Sequence, residues 1–320
     1  MRLPVGKAGL YSAGTPYQGL GNDKAPYSLC ERTDISSGVT AGGLTMIRRD
    51  EDRFSAYATE TGEYIQTWFE YLPQDVLDNT AAPGSVPLIL GIHGTNDDPR
   101  QYVDEIGLLS LAEHEHIAIV APEHNALGAL DIRIETEALA ALVNYMLETY
   151  PALDASRVYV TGFSMGSLAT IRAVYGAPEL FAAAYPQSGI RGAEPTEEDA
   201  KLFENVQVPI VVSTSEYNMV KAETLSQDFY NLLSQLMVLD GMEPLPEADY
   251  DAYPIAGFDA DIYTRTTIND DYVKHSWYKT DDNGVPMVGA TYIESIVHCL
   301  YPQHANIIWD FFKHYSRDLT

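Results

Sequence analysis

The sequence predicts an α/β protein, with a mostly parallel central sheet and helices on both faces. Three observations carry this. Nearly unbroken apolar runs stand at 86–92 (VPLILGI), 117–121 (IAIVA), 158–160 (VYV), 181–185 (FAAAY) and 210–212 (IVV), and such runs suit strands buried on both faces. Segments of helical period separate them. Strands alternating with helices imply a parallel sheet covered on both sides.

The elements follow in order. Residues 1–45 are rich in Gly, Pro, Ser, Thr and Tyr, with Tyr11, Tyr17 and Tyr27 among them. They read as an irregular arm packed on one domain that spans 46–320. Imperfect alternation over 64–71 (YIQTWFEY) reads as a strand. Leu139, Leu142, Val143 and Met146 fall at i, i+3, i+4 and i+7, one apolar helix face, and Pro151 ends it. Helices are also expected over 166–175, over 222–239 (buried side Leu225, Phe229, Leu232, Leu233 and Leu236) and over 305–315. The acidic, turn-rich stretch 240–290 reads as an insertion before the last strand, near the active site. It closes in a hairpin, 273–280 and 286–297, around Asn283-Gly284, which supplies the positive φ that a tight turn wants.

Charge and cysteine content narrow the function. The chain has 19 Lys plus Arg against 46 Asp plus Glu, a net charge of −27. Such a surface repels phosphate backbones and anionic lipid headgroups, so nucleic acid and membrane are not expected partners. Two cysteines, Cys30 and Cys299, make neither a disulfide scaffold nor a four-ligand zinc site. No apolar stretch has transmembrane length, and no signal peptide is read at the start. Location is left open between the cytoplasm and secretion with a trimmed signal.

The chemistry centres on Gly162-Phe163-Ser164-Met165-Gly166, between an expected strand and an expected helix. That is the context a nucleophile elbow requires. The tight turn leaves no room for side chains two places either side of the serine. Ser164 would sit at a helix N-terminus, where unpaired N–H groups favour developing negative charge. A tetrahedral oxyanion needs two preorganised donors. The backbone N–H of Met165 is one candidate; Thr95, after the run 86–92 in His93-Gly94-Thr95, is the other. His93 reads as structural, and Asn96, Asp97 and Asp98 as caps of the next helix or turn.

The chain order for this motif is serine, acid, histidine. His275, His298, His304 and His314 follow the serine. His298, just past the last expected strand, is the candidate base, with His304 the alternative. The loop after 210–212 reads Ser-Thr-Ser-Glu-Tyr-Asn, and Glu216 is its one carboxylate. It is the candidate acid, beside Asp228, Asp261 or no acid at all.

These residues resemble a family. From about 46 to 318 the chain is similar to the α/β-hydrolase-fold serine esterases of the polyhydroxybutyrate depolymerase-like, feruloyl and acetylxylan esterase group. Four stretches carry the resemblance: 88–98 (LILGIHGTNDD), 154–166 (DASRVYVTGFSMG), 277–298 (WYKTDDNGVPMVGATYIESIVH), and His298-Cys299-Leu300-Tyr301-Pro302 with 308–312 (IWDFF). It implies an α/β-hydrolase catalytic domain with Ser164 as nucleophile and His298 as base. Counting on from Pro209, the place where the family carries its aspartate holds Asn218.

The expected activity is hydrolysis of short acyl or aryl esters, free or linked to a saccharide, through a Ser164 acyl-enzyme, with no metal or organic cofactor. Tyr263, Trp277 and Tyr278 are candidate substrate-binding aromatics. A peptidase or amidase acting on small peptides is the alternative on the same chemistry. A non-catalytic binding protein on a hydrolase scaffold is the alternative outside it. The sequence carries no sign of oligomeric state.

Overall fold

A computed structural model describes residues 37–39, 43–58, 62, 64–95, 97–123, 132–190, 194–268 and 272–319. Most of the expected arm lies outside the described residues. Its described part includes β1 (Ser37–Val39), which pairs antiparallel with β2 (Thr45–Asp50) at one sheet edge.

Among the described residues one sheet of eleven strands runs in the order β1-β2-β3-β5-β4-β6-β7-β8-β11-β10-β9. Its centre is parallel: β5 (Ala118–Pro122), β4 (Val86–Ile92), β6 (Leu153–Phe163), β7 (Ala183–Gln187), β8 (Ile210–Tyr217) and β11 (Pro286–Val297). The apolar runs read from sequence are these central strands. β4 and β7 are buried at every position, because helices cover both faces. The flanks are antiparallel: β2 and β3 (Thr67–Leu72) on one side, β10 (Tyr272–Thr280) and β9 (Ile262–Ile268) on the other.

Two helical layers enclose the sheet. On one face lie α4 (Ile132–Thr149), α5 (Met165–Gly176) and α7 (Gln227–Leu239). On the other lie α2 (Pro99–Glu105), α3 (Leu108–Glu115) and α8 (His304–Phe312). Short helices α1 (Gln74–Leu77) and α6 (Glu197–Leu202) complete the set. Asp98 caps α2 by accepting Arg100 N–H at 2.8 Å, the capping role read from sequence, whereas Asn96 is outside the described residues.

Three elements differ from expectation. The helix predicted from residue 222 starts at Gln227, because the Ser226 hydroxyl accepts Phe229 N–H at 3.2 Å and caps it there. The C-terminal helix stops at Phe312. The stretch 240–261 runs along α7: Leu245 N–H donates to the Ser234 hydroxyl, Tyr230 to Pro246 O, and Tyr250 to Leu225 O. It then leads into β9, an edge strand not anticipated from the sequence. The expected hairpin is present, with Gly284 at φ 78° and its N–H on Asp281 O at 3.0 Å.

Candidate active site

Ser164 stands between β6 and α5 with φ 56° and ψ −112°. A non-glycine residue there is strained, and such strain is held only where its surroundings over-determine it. Several contacts do so. Ser164 N–H donates to Gln187 O at 2.8 Å, and the Ser167 hydroxyl donates to Gly189 O at 2.6 Å. A Cβ on Gly162 would lie 2.2 Å from Gly166 O, and one on Gly166 would lie 2.2 Å from Ile92 O. Both glycines of the motif are therefore required by close backbone approach. Beneath the turn, Gln187 Nε2 donates to Thr161 Oγ1 at 2.9 Å and to Tyr102 Oη at 3.2 Å. This buried polar floor links β6, β7 and α2, and no motif in the sequence points to it.

The end of β4 packs on the elbow. Gly94 approaches Phe163 O, and Thr95 is exposed in the turn that follows. Met165 is the first residue of α5, where a helix leaves its N–H groups without intrahelical partners. Thr95 and Met165 thus come from two touching elements. His93 is fully buried, with Nδ1 2.7 Å from Gly94 O and Nε2 3.4 Å from the Glu123 carboxylate, so it braces this loop.

His298 follows β11, and its ring packs on Phe163, next to the serine, with centroids 4.6 Å apart. Its Nδ1 lies 2.5 Å from Asn218 Oδ1. Burial pushes its pKa below the ordinary histidine value. The partner of the imidazole is therefore Asn218, not the expected Glu216. Glu216 instead accepts Ser295 N–H at 2.9 Å and lies 3.6 Å from Lys221 Nζ. The cause is a bulge. Ile293 pairs with Ser215 but Val297 with Tyr217, so β11 holds extra residues over two of β8, and Ser295 takes φ 61°. The bulge lays its backbone against Glu216 and carries His298 on to Asn218.

The other candidates sit elsewhere. Asp261 is held by Lys279 Nζ at 2.6 Å and Thr280 N–H at 2.8 Å, and Asp228 lies in the first turn of α7. His304 opens α8 and is buried, its ring 3.5 Å from that of Tyr301, and burial drives its pKa down to about 3. His314 is exposed beyond α8. Trp277 and Tyr278, expected at the substrate, point to opposite faces of the sheet, Trp277 into one core and Tyr278 against the other. Trp277 faces Ala290, which pairs with Val212, five β8 residues below Tyr217. At ~3.3 Å per residue that is about 17 Å from the strand end that carries the site. Tyr263 sits at the same level on β9, with its hydroxyl 2.8 Å from His275 Nδ1. Beside the Asn218–His298 pair in the chain stand the exposed apolar residues Tyr217, Met219, Val220 and Val297, while Phe163 is buried under the His298 ring.

Among the described residues no group of three or more His, Cys, Asp or Glu side chains is placed to hold a metal ion. Cys299 is buried and free, and Cys30 lies outside the described residues. No described helix is long and apolar enough to cross a membrane.

No family model matches the chain. Among solved structures, an acetyl xylan esterase from Aspergillus awamori superposes with a TM-score of 0.54 at 16% identity, covering 77% of this chain and 93% of that one. A serine-to-alanine mutant of the feruloyl esterase module from Clostridium thermocellum, complexed with sinapinate, gives 0.51 at 13% identity over 88% of this chain and 91% of that one. The chain has the α/β-hydrolase fold. In sequence it is 31% identical over 127 residues to a bifunctional acetylxylan esterase/xylanase of Neocallimastix patriciarum, which is 38% of this chain and 19% of that protein. It is 28% identical over 148 residues to acetylxylan esterase A of Emericella nidulans, 43% of this chain and 45% of that protein. The matches to these curated relatives thus span less than half of their length. Acetylxylan esterases thus occur in both the sequence and the structure comparison, and a feruloyl esterase in the structure comparison.

Proposed function

We propose that this protein is a carboxylic ester hydrolase acting through a Ser164 acyl-enzyme. The observation that carries the reading is the strained Ser164 at the head of α5, with the His298 ring packed on its neighbour Phe163 and turned by a side-chain oxygen on Nδ1. In the reaction, His298 Nε2 takes the Ser164 hydroxyl proton as Oγ attacks the acyl carbon. The oxyanion so formed is assigned to the N–H groups of Met165 and Thr95. The imidazolium returns the proton to the departing alcohol, and the C–O bond of the ester breaks. Water, deprotonated by the same imidazole, then attacks the acyl-enzyme and releases the carboxylic acid and free serine.

The relatives are named for acetylxylan and feruloyl esters, which favours short acyl or aryl esters, including esters on a polysaccharide. The exposed apolar residues that flank Asn218 and His298 in the chain, Tyr217, Met219, Val220 and Val297, suit an acyl or aryl group better than a charged one. No metal or organic cofactor takes part in the steps assigned to these residues.

The test is labelling by a fluorophosphonate with the adduct mapped by mass spectrometry, beside turnover of p-nitrophenyl acetate, butyrate and octanoate and of an anilide. The expected result is one adduct, on Ser164, and hydrolysis of the esters in preference to the anilide. Ser164→Ala should remove both while the protein stays folded. A Ser164→Ala protein that retains more than a few per cent of turnover overturns the mechanism. A second reading, a non-catalytic binding protein, is favoured only by the neutral side chain at position 218, and a folded wild-type chain that takes no label would count for it and against the esterase.

A further inference from the structure

We propose that Asn218 is a positioning residue for catalysis, a neutral acceptor that holds His298 in its productive tautomer without supplying charge, so that the base works at more acidic pH than it would beside a carboxylate. The proposal rests on the reading of Ser164 and His298 as nucleophile and base.

The side chain is fixed at both ends. Asn218 Oδ1 lies 2.5 Å from His298 Nδ1, and its Nδ2 donates to Thr214 Oγ1 at 3.2 Å. The backbone is tied as well, with Asn218 N–H on Ser215 O at 3.1 Å and Val220 N–H on Asn218 O at 2.9 Å. An amide oxygen on Nδ1 requires the hydrogen to be there. The lone pair then sits on Nε2, where the serine proton must go. The Thr214 hydroxyl accepts or donates, so by itself it would tolerate either orientation of the amide. The imidazolium breaks that tie. It donates from both nitrogens, and only the amide with oxygen inward keeps its bond as the proton arrives. Asn218 therefore does the orienting work of a carboxylate and none of its electrostatic work.

Among the described residues, the charges around the ring do not replace the missing one. On β8 and its loop, Glu216 is bound by Ser295 N–H and Lys221, and Lys221 also reaches Glu223 at 3.3 Å. On β11, Glu294 is 2.6 Å from His275 Nε2. Phe163 and Met165 of the elbow carry no charge, and Asp97 of the β4 turn lies against Gly94. Cys299, next in the chain, is buried, its thiol pushed up to about 12. Burial then acts on His298 unopposed and keeps it below the ordinary histidine value. An aspartate at this place would put an opposite charge against the imidazolium, which raises a histidine pKa by about one to three units.

The experiment compares wild type, Asn218→Asp and Asn218→Ala. The readouts are kcat and KM from pH 4 to 9 on p-nitrophenyl acetate, and the His298 pKa by imidazole NMR, assigned with a His298→Gln control. In wild type the acid limb of kcat/KM and the NMR pKa should both lie below the ordinary histidine value. In Asn218→Asp both should rise by about one unit or more, and plateau kcat should increase about tenfold or more. In Asn218→Ala kcat should fall about tenfold or more with KM little changed. A shift below about 0.3 unit in Asn218→Asp, or unchanged kcat in Asn218→Ala, overturns the proposal. Wild type unlabelled by fluorophosphonate while Asn218→Asp labels overturns it too, and makes Asn218 the mark of an inactivated base. Failure of both to label refutes the ester-hydrolase reading itself, whereas the NMR comparison still decides whether Asn218 sets the pKa.

Discussion

Asp240 offers a stability test whose sign and size follow from its surroundings. It closes α7, with its N–H on Leu236 O at 3.1 Å. Its carboxylate Oδ1 accepts Val208 N–H at 3.0 Å, while Oδ2 is buried without a hydrogen-bond partner. A negative charge at a helix C-terminus is unfavourable, and burial compounds this. Burial raises the pKa from 3.8 to about 7 despite the Val208 bond. The folded state therefore holds a proton that the unfolded state releases. Stability from this group is fully present below about pH 4 and is lost as pH rises toward 7. Over a window of about three units, at about 1.4 kcal/mol per unit, the loss is up to about 4 kcal/mol. At roughly 2 °C per kcal/mol for a chain of this size, that is about 6–8 °C in Tm. Asp240→Asn copies the protonated acid and has no charge to lose. Thermal melts of both proteins at pH 4.5 and pH 8 should show near-equal Tm at the lower pH and a more stable variant at the higher. The comparison cancels every other titrating group. A Tm difference that stays constant with pH would refute the argument, because it would mean that Asp240 is ionised in the fold at both values.

Other outcomes follow from the same structure. Gly166→Ala would put a methyl group 2.2 Å from Ile92 O and 2.5 Å from His93 O. Backbone must move, so about 1–3 kcal/mol of stability should be lost and ester turnover should fall more steeply than Tm; wild-type turnover would show that the elbow does not set the site. Glu70, fully buried, accepts from Arg49 Nε at 3.1 Å, Trp68 Nε1 at 2.9 Å and Tyr150 Oη at 2.6 Å. Glu70→Ala should cost about 3–5 kcal/mol in chemical denaturation, since it leaves the half-buried Arg49 charge without its buried partner. His304 binds its proton far more weakly folded than unfolded, so its contribution is lost as pH falls below the ordinary histidine value toward 3. His304→Gln should therefore lower the midpoint of acid unfolding, and an unchanged midpoint would count against burial as the cause.

Much of the parallel sheet was legible because burial on both faces writes itself as continuous apolar runs, and β4 and β7 are buried throughout. The edge strand β9 was not legible. Its residues 263–267 are exposed, so neither alternation nor an apolar run marks it. The start of α7 was misplaced because the apolar spacing continues back to Leu225, while the Ser226 cap stops the helix short of it. Tyr263, Trp277 and Tyr278 look alike in sequence. Pleating sends Trp277 and Tyr278 to opposite faces, and pairing sets all three well below the catalytic end.

The sequence by itself determined the elbow. Strand, tight turn and helix lie within a few residues, and the clash that demands glycine at 162 is with Gly166 O of the same turn, whereas the one at Gly166 comes from the end of β4. Only the tertiary structure decided what faces His298. Glu216 in β8 and Asn218 just past its end are two residues apart, and composition favours the carboxylate. The register shift between β11 and β8, with Ser295 at φ 61°, gives Glu216 to a backbone N–H and Asn218 to the imidazole. A bulge is a property of two paired strands, and neither strand's sequence specifies it alone.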